Sequence, residues 1–274
     1  MLIEVMPERL TSEDIAELSE AVGLLEGQTL AGRMTNVFGR QIETMGRAMP
    51  AFARNAIAAA SESALKTALR VPLKTMSGKT ARPASNGLHK VAAAASGAIG
   101  GAFGLASLAV ELPLSTTILL RSIADIARAE GEDLSRPEAS LACIEVLALG
   151  GAAPGEAAIE SGYFAVRAAL ARTVNESARF VLKQGLAAES APALARLISQ
   201  VASRFGVAVS EKVAAQAAPV LGAIGGAAVN AAFADHFQAL ARGHFIVRRL
   251  ERKHGEDNVR FEYERLRNAG PARR

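Results

Sequence analysis

From Val91 to Val110 the chain carries no charged residue, and the run is written mostly in Ala, Gly and Ser. Few conformations suit such a segment. Alanine loses no side-chain entropy in a helix, and the run lacks the alternating β-branched and aromatic pattern of a strand. As a helix rising about 1.5 Å per residue, it matches the ~30 Å core of a bilayer. Glu111 and Pro113 follow, and Pro113 is expected to kink the chain or start a new helix. A second apolar helix then carries Arg121, Asp125 and Arg128 as far as Gly131. Half of all residues are apolar, yet only 4% are aromatic and Trp is absent, so the apolar mass is aliphatic. No stretch alternates as a strand would. The expected fold class is all-α, a multi-helix bundle with two central Gly/Ala-rich helices.

The second of these central helices comes from Val213–Ala234, again without charge. Gly97-Ala98-Ile99-Gly100-Gly101-Ala102 recurs as Gly222-Ala223-Ile224-Gly225-Gly226-Ala227. Each copy precedes a more charged helix that runs to Gly-Glu-Asp, at 131–133 and at 255–257. This reads either as an internal pseudo-repeat or as chance recurrence in Ala/Gly-rich sequence. Gly97, Gly101, Gly104, Gly222 and Gly226 are candidates for close helix packing, in a membrane or in a soluble core. The aliphatic content is low for insertion, which favours peripheral association over spanning.

The organisation expected is an amphipathic helical segment over 1–70, a basic loop over 71–87, a helical domain over 88–268 and a basic tail over 269–274. Thr11 and Asp14 have capping-box spacing, and Ile15, Leu18, Val22 and Leu25 then share one face. A helix over 30–47 follows, and Pro50 opens another that runs to about Arg70. Ser77-Gly78-Lys79-Thr80 lacks the earlier glycine of a phosphate-binding loop, because Leu73 stands there. Ser135 and Glu138 have capping-box spacing around Pro137. Glu156 is read as opening a helix to about Ala171, with a separate one over 175–184. Ser190 caps a helix closed by Gly206, and Ser210 caps the next.

Net charge is +4. The basic groups at Lys74, Lys79, Arg82 and Arg248–Lys253 suit a solvated face or an anionic lipid surface. Nucleic acid is excluded as a partner, since no aromatics interleave with these charges. The one cysteine, Cys143, sits in an apolar pattern and is read as core in a reducing compartment. The start of the chain is not a signal peptide, so the expected location is cytoplasmic, peripheral to the inner membrane.

Polar residues set in apolar helices are the candidates for chemistry, because a buried charge must be paired, neutral or open to a cavity. Glu111, Arg121, Glu160 and Tyr163 are the catalytic candidates. Thr116, Thr117, Asp125 and His236 are the ligand-binding ones. Glu145 also stands among apolar neighbours. For each, a structural role is the alternative. Arg121 and Asp125 have the spacing of an ion pair. His236 and His244 are two helical turns apart, too far to share a metal. Glu251-x-x-His254 is only one of the two such motifs a di-iron bundle uses. No metal and no cofactor is expected.

At Leu112-Pro113, Thr116-Thr117, Leu120-Arg121-Ser122-Ile123, Gly131-Glu132-Asp133, Glu160-Ser161-Gly162-Tyr163 and Ala241-Arg242-Gly243-His244-Phe245 the chain resembles the EcsC protein family. The resemblance covers roughly residues 85–265 and leaves 1–70 outside. It implies a bacterial family without an established activity or settled catalytic residues. The family's namesake is encoded beside an ABC transporter implicated in protein secretion, which implies membrane association and a transport-linked partner. The reading that results is a membrane-associated, non-enzymatic helical protein. The alternatives are a soluble helical enzyme with a pocket near Glu111 and Arg121, and a soluble scaffold that docks a partner through residues 1–70. Oligomeric state is not legible.

Overall fold

The computed structural model describes residues 10–27, 29–38, 50–70, 108–151, 162–184, 192–216 and 222–269. Among them are nine helices and no strand: α1 (Ser12–Leu25), α2 (Leu30–Phe38), α3 (Ala51–Arg70), α4 (Leu108–Ala129), α5 (Pro137–Leu149), α6 (Tyr163–Gln184), α7 (Pro192–Gln216), α8 (Gly222–His254) and α9 (Glu256–Ala269). The all-α expectation holds. The uncharged run at 91–110 lies almost wholly outside the described residues, with Gly97, Gly101 and Gly104. The pseudo-repeat therefore has only its second copy in view.

The bundle is built round α5. Every residue from Ala139 to Ala148 is buried. A helix with no polar face has to be covered on all sides, and α4, α6, α7 and α8 do this. Pro137 takes the first helical position, which costs nothing because that N–H has no helical partner. The capping box expected of Ser135 and Glu138 does not form. Arg136 is the N-cap without a side-chain bond, and Ser135 turns back to Asp133 through its N–H and hydroxyl. At the far end Arg204 of α7 donates from Nε to the Ala148 carbonyl at 2.9 Å, satisfying one of the open acceptors there.

One core joins α2, α3, α4, α5, α6, α7 and the middle of α8, with Phe205, Phe233 and Phe237 in mutual ring contact. A second, smaller core forms where Leu18 and Ala21 of α1 meet Val247 and Leu250 of α8 and Val259 and Tyr263 of α9. The first helices thus pack into the same body as the rest: α1 lies on α8 and α9, and α3 on α4 and α7. The Thr11–Asp14 capping box is present in full.

Several element boundaries differ from the sequence expectation. Pro113 lies inside α4 and does not start it. α6 is one helix where two were expected, and the segment before Gly162 is not described. α7 runs through Gly206, which neither ends a helix nor lets Ser210 cap a new one. Gly206 faces Ala58 and Ser61 of α3, and Ser210 Oγ donates back to the Gly206 carbonyl. The uncharged stretch Val213–Ala234 is divided between the end of α7 and the start of α8.

Both Gly-Glu-Asp segments follow helix ends, and both glycines are left-handed, with φ of 80° at Gly131 and 85° at Gly255. At Gly131 the chain closes a Schellman pair, Glu132 N–H to the Ala127 carbonyl and Gly131 N–H to that of Arg128. At Gly255 the simpler form occurs, a single bond from its N–H to the Glu251 carbonyl.

Candidate functional site

The sequence candidates separate into two places. Around the start of α4, Glu111 and Thr116 are both buried. Glu111 Oε1 accepts from Lys212 Nζ of α7 at 2.6 Å and from Asn230 Nδ2 at 3.4 Å. The Lys212 ammonium also lies over the Phe233 ring. Burial pulls the lysine pKa down, and Glu111 draws it back up. Thr117 Oγ1 donates to the Pro113 carbonyl. Arg121 is exposed and does not join this group, and Asp125 takes Arg128 instead of Arg121. The adjoining cavity, lined by Ser115, Ser122, Lys212, Asn230 and Gln238 among others, holds about 10 Å³. That is room for one water and no more.

A larger opening stands beside α5. An open pocket of about 480 Å³ is bounded by α5, α6, α8 and α9. Its inner wall includes Glu145, set on the central helix and only 6% exposed. No hydrogen bond or ion pair to Glu145 is formed among the described residues. Burial pushes its carboxyl pKa up, against the pull of Arg167 and Arg248, while Glu251 adds to the rise. A group in that position favours holding its proton.

Arg167 of α6 forms the second part of the wall. It reaches Glu251 of α8 with both terminal nitrogens, at 2.6 and 3.1 Å, and donates to the Tyr163 hydroxyl at 3.2 Å. The Tyr163 hydroxyl lies 3.0 Å from His244 Nδ1. Burial lowers the histidine pKa well below its ordinary value and raises that of the phenol. The two groups share one hydrogen bond, in which the imidazole tautomer decides the donor. Tyr163 is thus brought into a polar chain running from His244 through Arg167 to Glu251.

The basic segment 248–253, expected on a lipid-facing or solvated flank, is paired with acidic residues, while Arg252 and Lys253 remain exposed. Arg248 Nε donates to Glu132 at 2.8 Å, and Arg252 pairs with the same carboxylate. Arg249 bridges Glu130 and Glu17 at 2.9 and 3.1 Å. Lys253 and His254 both reach Asp14, each at 2.9 Å. Glu251 and His254, read as half of a di-iron motif, therefore face different partners.

His236 is buried against Phe237, and its pKa falls to about 4, chiefly through burial. Cys143 is buried, and desolvation raises its thiol pKa to about 12, so it is no nucleophile. Glu160 lies outside the described residues. Gly226 is buried near the start of α8, and Gly222 begins that helix. Among the described residues no three His, Cys, Asp or Glu stand close enough to hold a metal. The site members that the sequence reading missed are Arg167, Arg248 and His244 as the partner of Tyr163. The only sequence signal for them was an arginine one turn after Tyr163.

These features define an all-helical bundle with a polar pocket beside its buried central helix. The chain belongs to the EcsC protein family, which it matches over residues 6–250. The match takes in the first helices, so the expectation that residues 1–70 lie outside the family is overturned. No curated protein and no solved structure shows significant similarity to the chain.

Proposed function

We propose that this protein is a binding protein, and that it holds a small polar ligand in the pocket between α5, α6, α8 and α9. One observation carries the reading. Glu145 is buried beside that pocket, on a helix otherwise built for burial, without a hydrogen-bonding partner among the described residues. Its carboxyl lines the open pocket, so its hydrogen-bonding capacity is available to what enters there. Pockets of about 300–1,000 Å³ are the usual size for small ligands. The nearby Arg167, Tyr163 and His244 are held by one another, which suits a fixed binding wall better than a set of reacting groups.

The test is a saturation-transfer NMR screen of polar, metabolite-sized compounds against the full chain and an Ala171→Trp variant. Ala171 lines the pocket from an exposed position, so the indole fills the space without disturbing the core. Hits that vanish in the variant support the reading. A screen with no hits, or with the same hits on both proteins, ends it.

A second reading, peripheral association with an anionic membrane, is supported by the uncharged run at 91–110, by Lys74, Lys79 and Arg82, and by the transporter association of the family. Among the described residues no helix is long and apolar enough to cross a membrane. In cells expressing the untagged protein, release from the pellet by high salt would support this reading. Full recovery in the soluble fraction would sink it, and retention through both salt and carbonate washes would replace it with insertion.

A further inference from the structure

We propose that the outer face of α6 and α7 docks on an anionic lipid bilayer, with Arg172, Arg179 and Lys183 of α6 and Arg196 of α7 at the headgroups and Leu182 entering the interface. The inference rests on the membrane reading just given and names the face that carries it. Arg172, Glu176, Arg179 and Lys183 follow one another at intervals of four, three and four residues, so they form one stripe along α6. The Arg172 side chain is 86% exposed and that of Arg196 60%. Arg179 and Lys183 are exposed as well. Glu176 is the only acid on α6, and α7 carries none before Glu211. Arg172 pairs with Glu176 at 2.9 Å, and Arg196 reaches the same carboxylate from α7 at 3.8 Å. The Arg172 hydrogen bond holds the Glu176 pKa down, and Arg196 and Arg179 add to the effect. One acid thus faces three guanidiniums. Arg179 and Lys183 form no ion pair among the described residues.

The chemistry of this face selects the partner. It is the outside of two packed helices, and the polar pocket reaches along α6 only to Asn175. A fluid anionic surface needs no shaped recess; it attracts clustered cations that come within about a Debye length. Leu182 stands 63% exposed, between Arg179 and Lys183 in the chain. An apolar side chain among basic ones suits the headgroup boundary, where it meets the acyl layer while long cationic stems keep their charges at the phosphates. A free phosphate or an acidic, unstructured tail would use the cations and leave Leu182 in water.

The experiment sediments the full chain with vesicles of phosphatidylcholine alone or mixed with phosphatidylserine. The parent should bind the mixed vesicles and leave them in high salt. Arg179→Gln with Lys183→Gln should weaken binding about fivefold for each charge removed. Leu182→Ser should add a loss of its own. Lys66→Gln with Arg265→Gln removes two exposed cations from α3 and α9, and should stay within about twofold of the parent. All the substituted side chains are exposed, which spares the fold. Equal weakening by the two double variants, or none by the first, would overturn this face and leave the membrane reading standing. Competition by soluble polyglutamate as effective as that of the mixed vesicles would make the partner an acidic protein and overturn the lipid assignment. No binding to either kind of vesicle would end the inference and the membrane reading together.

Discussion

Lys212 Nζ lies 2.6 Å from Glu111 Oε1, and both side chains are buried. The pair joins α4 to α7 across residues 101 apart in sequence. Removing one member leaves the other as an uncompensated charge in the core, which costs about 3–5 kcal/mol. Lys212→Met and Glu111→Leu should each lose about that much stability in urea unfolding. The double variant should lose clearly less than the sum. Additive losses would mean the two groups do not depend on each other.

Glu145 and Glu211 make stability fall as pH rises. Burial raises both carboxyls, that of Glu211 to about 7, with an opposing hydrogen bond from the Ala31 backbone. Both pKa values lie above those of the unfolded chain, near 4.5. The folded state thus binds the proton more tightly. Their contribution is fully present below about 4.5 and is lost as pH rises through the folded values, near 7 for Glu211. Glu145→Gln and Glu211→Gln should be more stable than the parent at neutral pH, because neither variant has a carboxyl to ionise at these positions. The gain should shrink in acid. Melting curves across pH 4–8 check this, and a gain independent of pH would count against it.

Asp14 works in the other direction. The Thr11 side chain, then Lys253, hold its pKa well below the ordinary carboxylate value of 3.8, against the effect of burial. A depressed pKa contributes stability above the unfolded value, and that stability is lost as pH falls through the folded one. α1 should therefore loosen in strong acid before the main core does. Thr11→Ala removes the cap and should cost about 0.5–2 kcal/mol. Hydrogen exchange within α1 reads both effects. Equal protection of α1 and α5 in acid would show that the clamp is not acting.

The parts of this architecture that were legible in the sequence are those fixed by local chemistry. The Thr11 box, the start of α3 after Pro50 and the end of α4 at Gly131 each depend on residues within one turn. Where local rules failed, tertiary contact decided. Gly206 would weaken an isolated helix, but α7 is packed against α3, α5 and α6 on both sides of it, so the helix continues. The Ser135 box lost to Pro137 and Asp133. The site followed the same divide. Tyr163 and Glu145 stood out as polar residues in apolar surroundings, yet nothing local places His244, 81 residues away, or Glu251, 84 residues from Arg167, beside them. Arg121 and Asp125 had the right spacing, but Asp125 found Arg128 one position nearer in the helix.

Gly243 and Gly255 separate two uses of glycine, one inside α8 and one just past its end. At Gly243 an added Cβ would stand 2.8 Å from Leu25 Cγ and 3.1 Å from the Ala21 carbonyl oxygen, so α1 could not keep its seat on α8. At Gly255 nothing lies within 4 Å, but φ is 85°. Gly255→Ala should cost about 1–2 kcal/mol, the price of a left-handed residue with a side chain, and should leave α1 protected from exchange. Gly243→Ala should instead raise exchange and proteolysis selectively in α1, because the clash lies in that interface. Since Glu26 at the end of α1 accepts the Tyr163 N–H at 3.2 Å and the Tyr263 hydroxyl at 2.9 Å, the release should reach Tyr163 and the wall of the pocket. Loss of α1 protection without any change in the Tyr163 amide shift would show that the helix is an independent strap and does not hold the site.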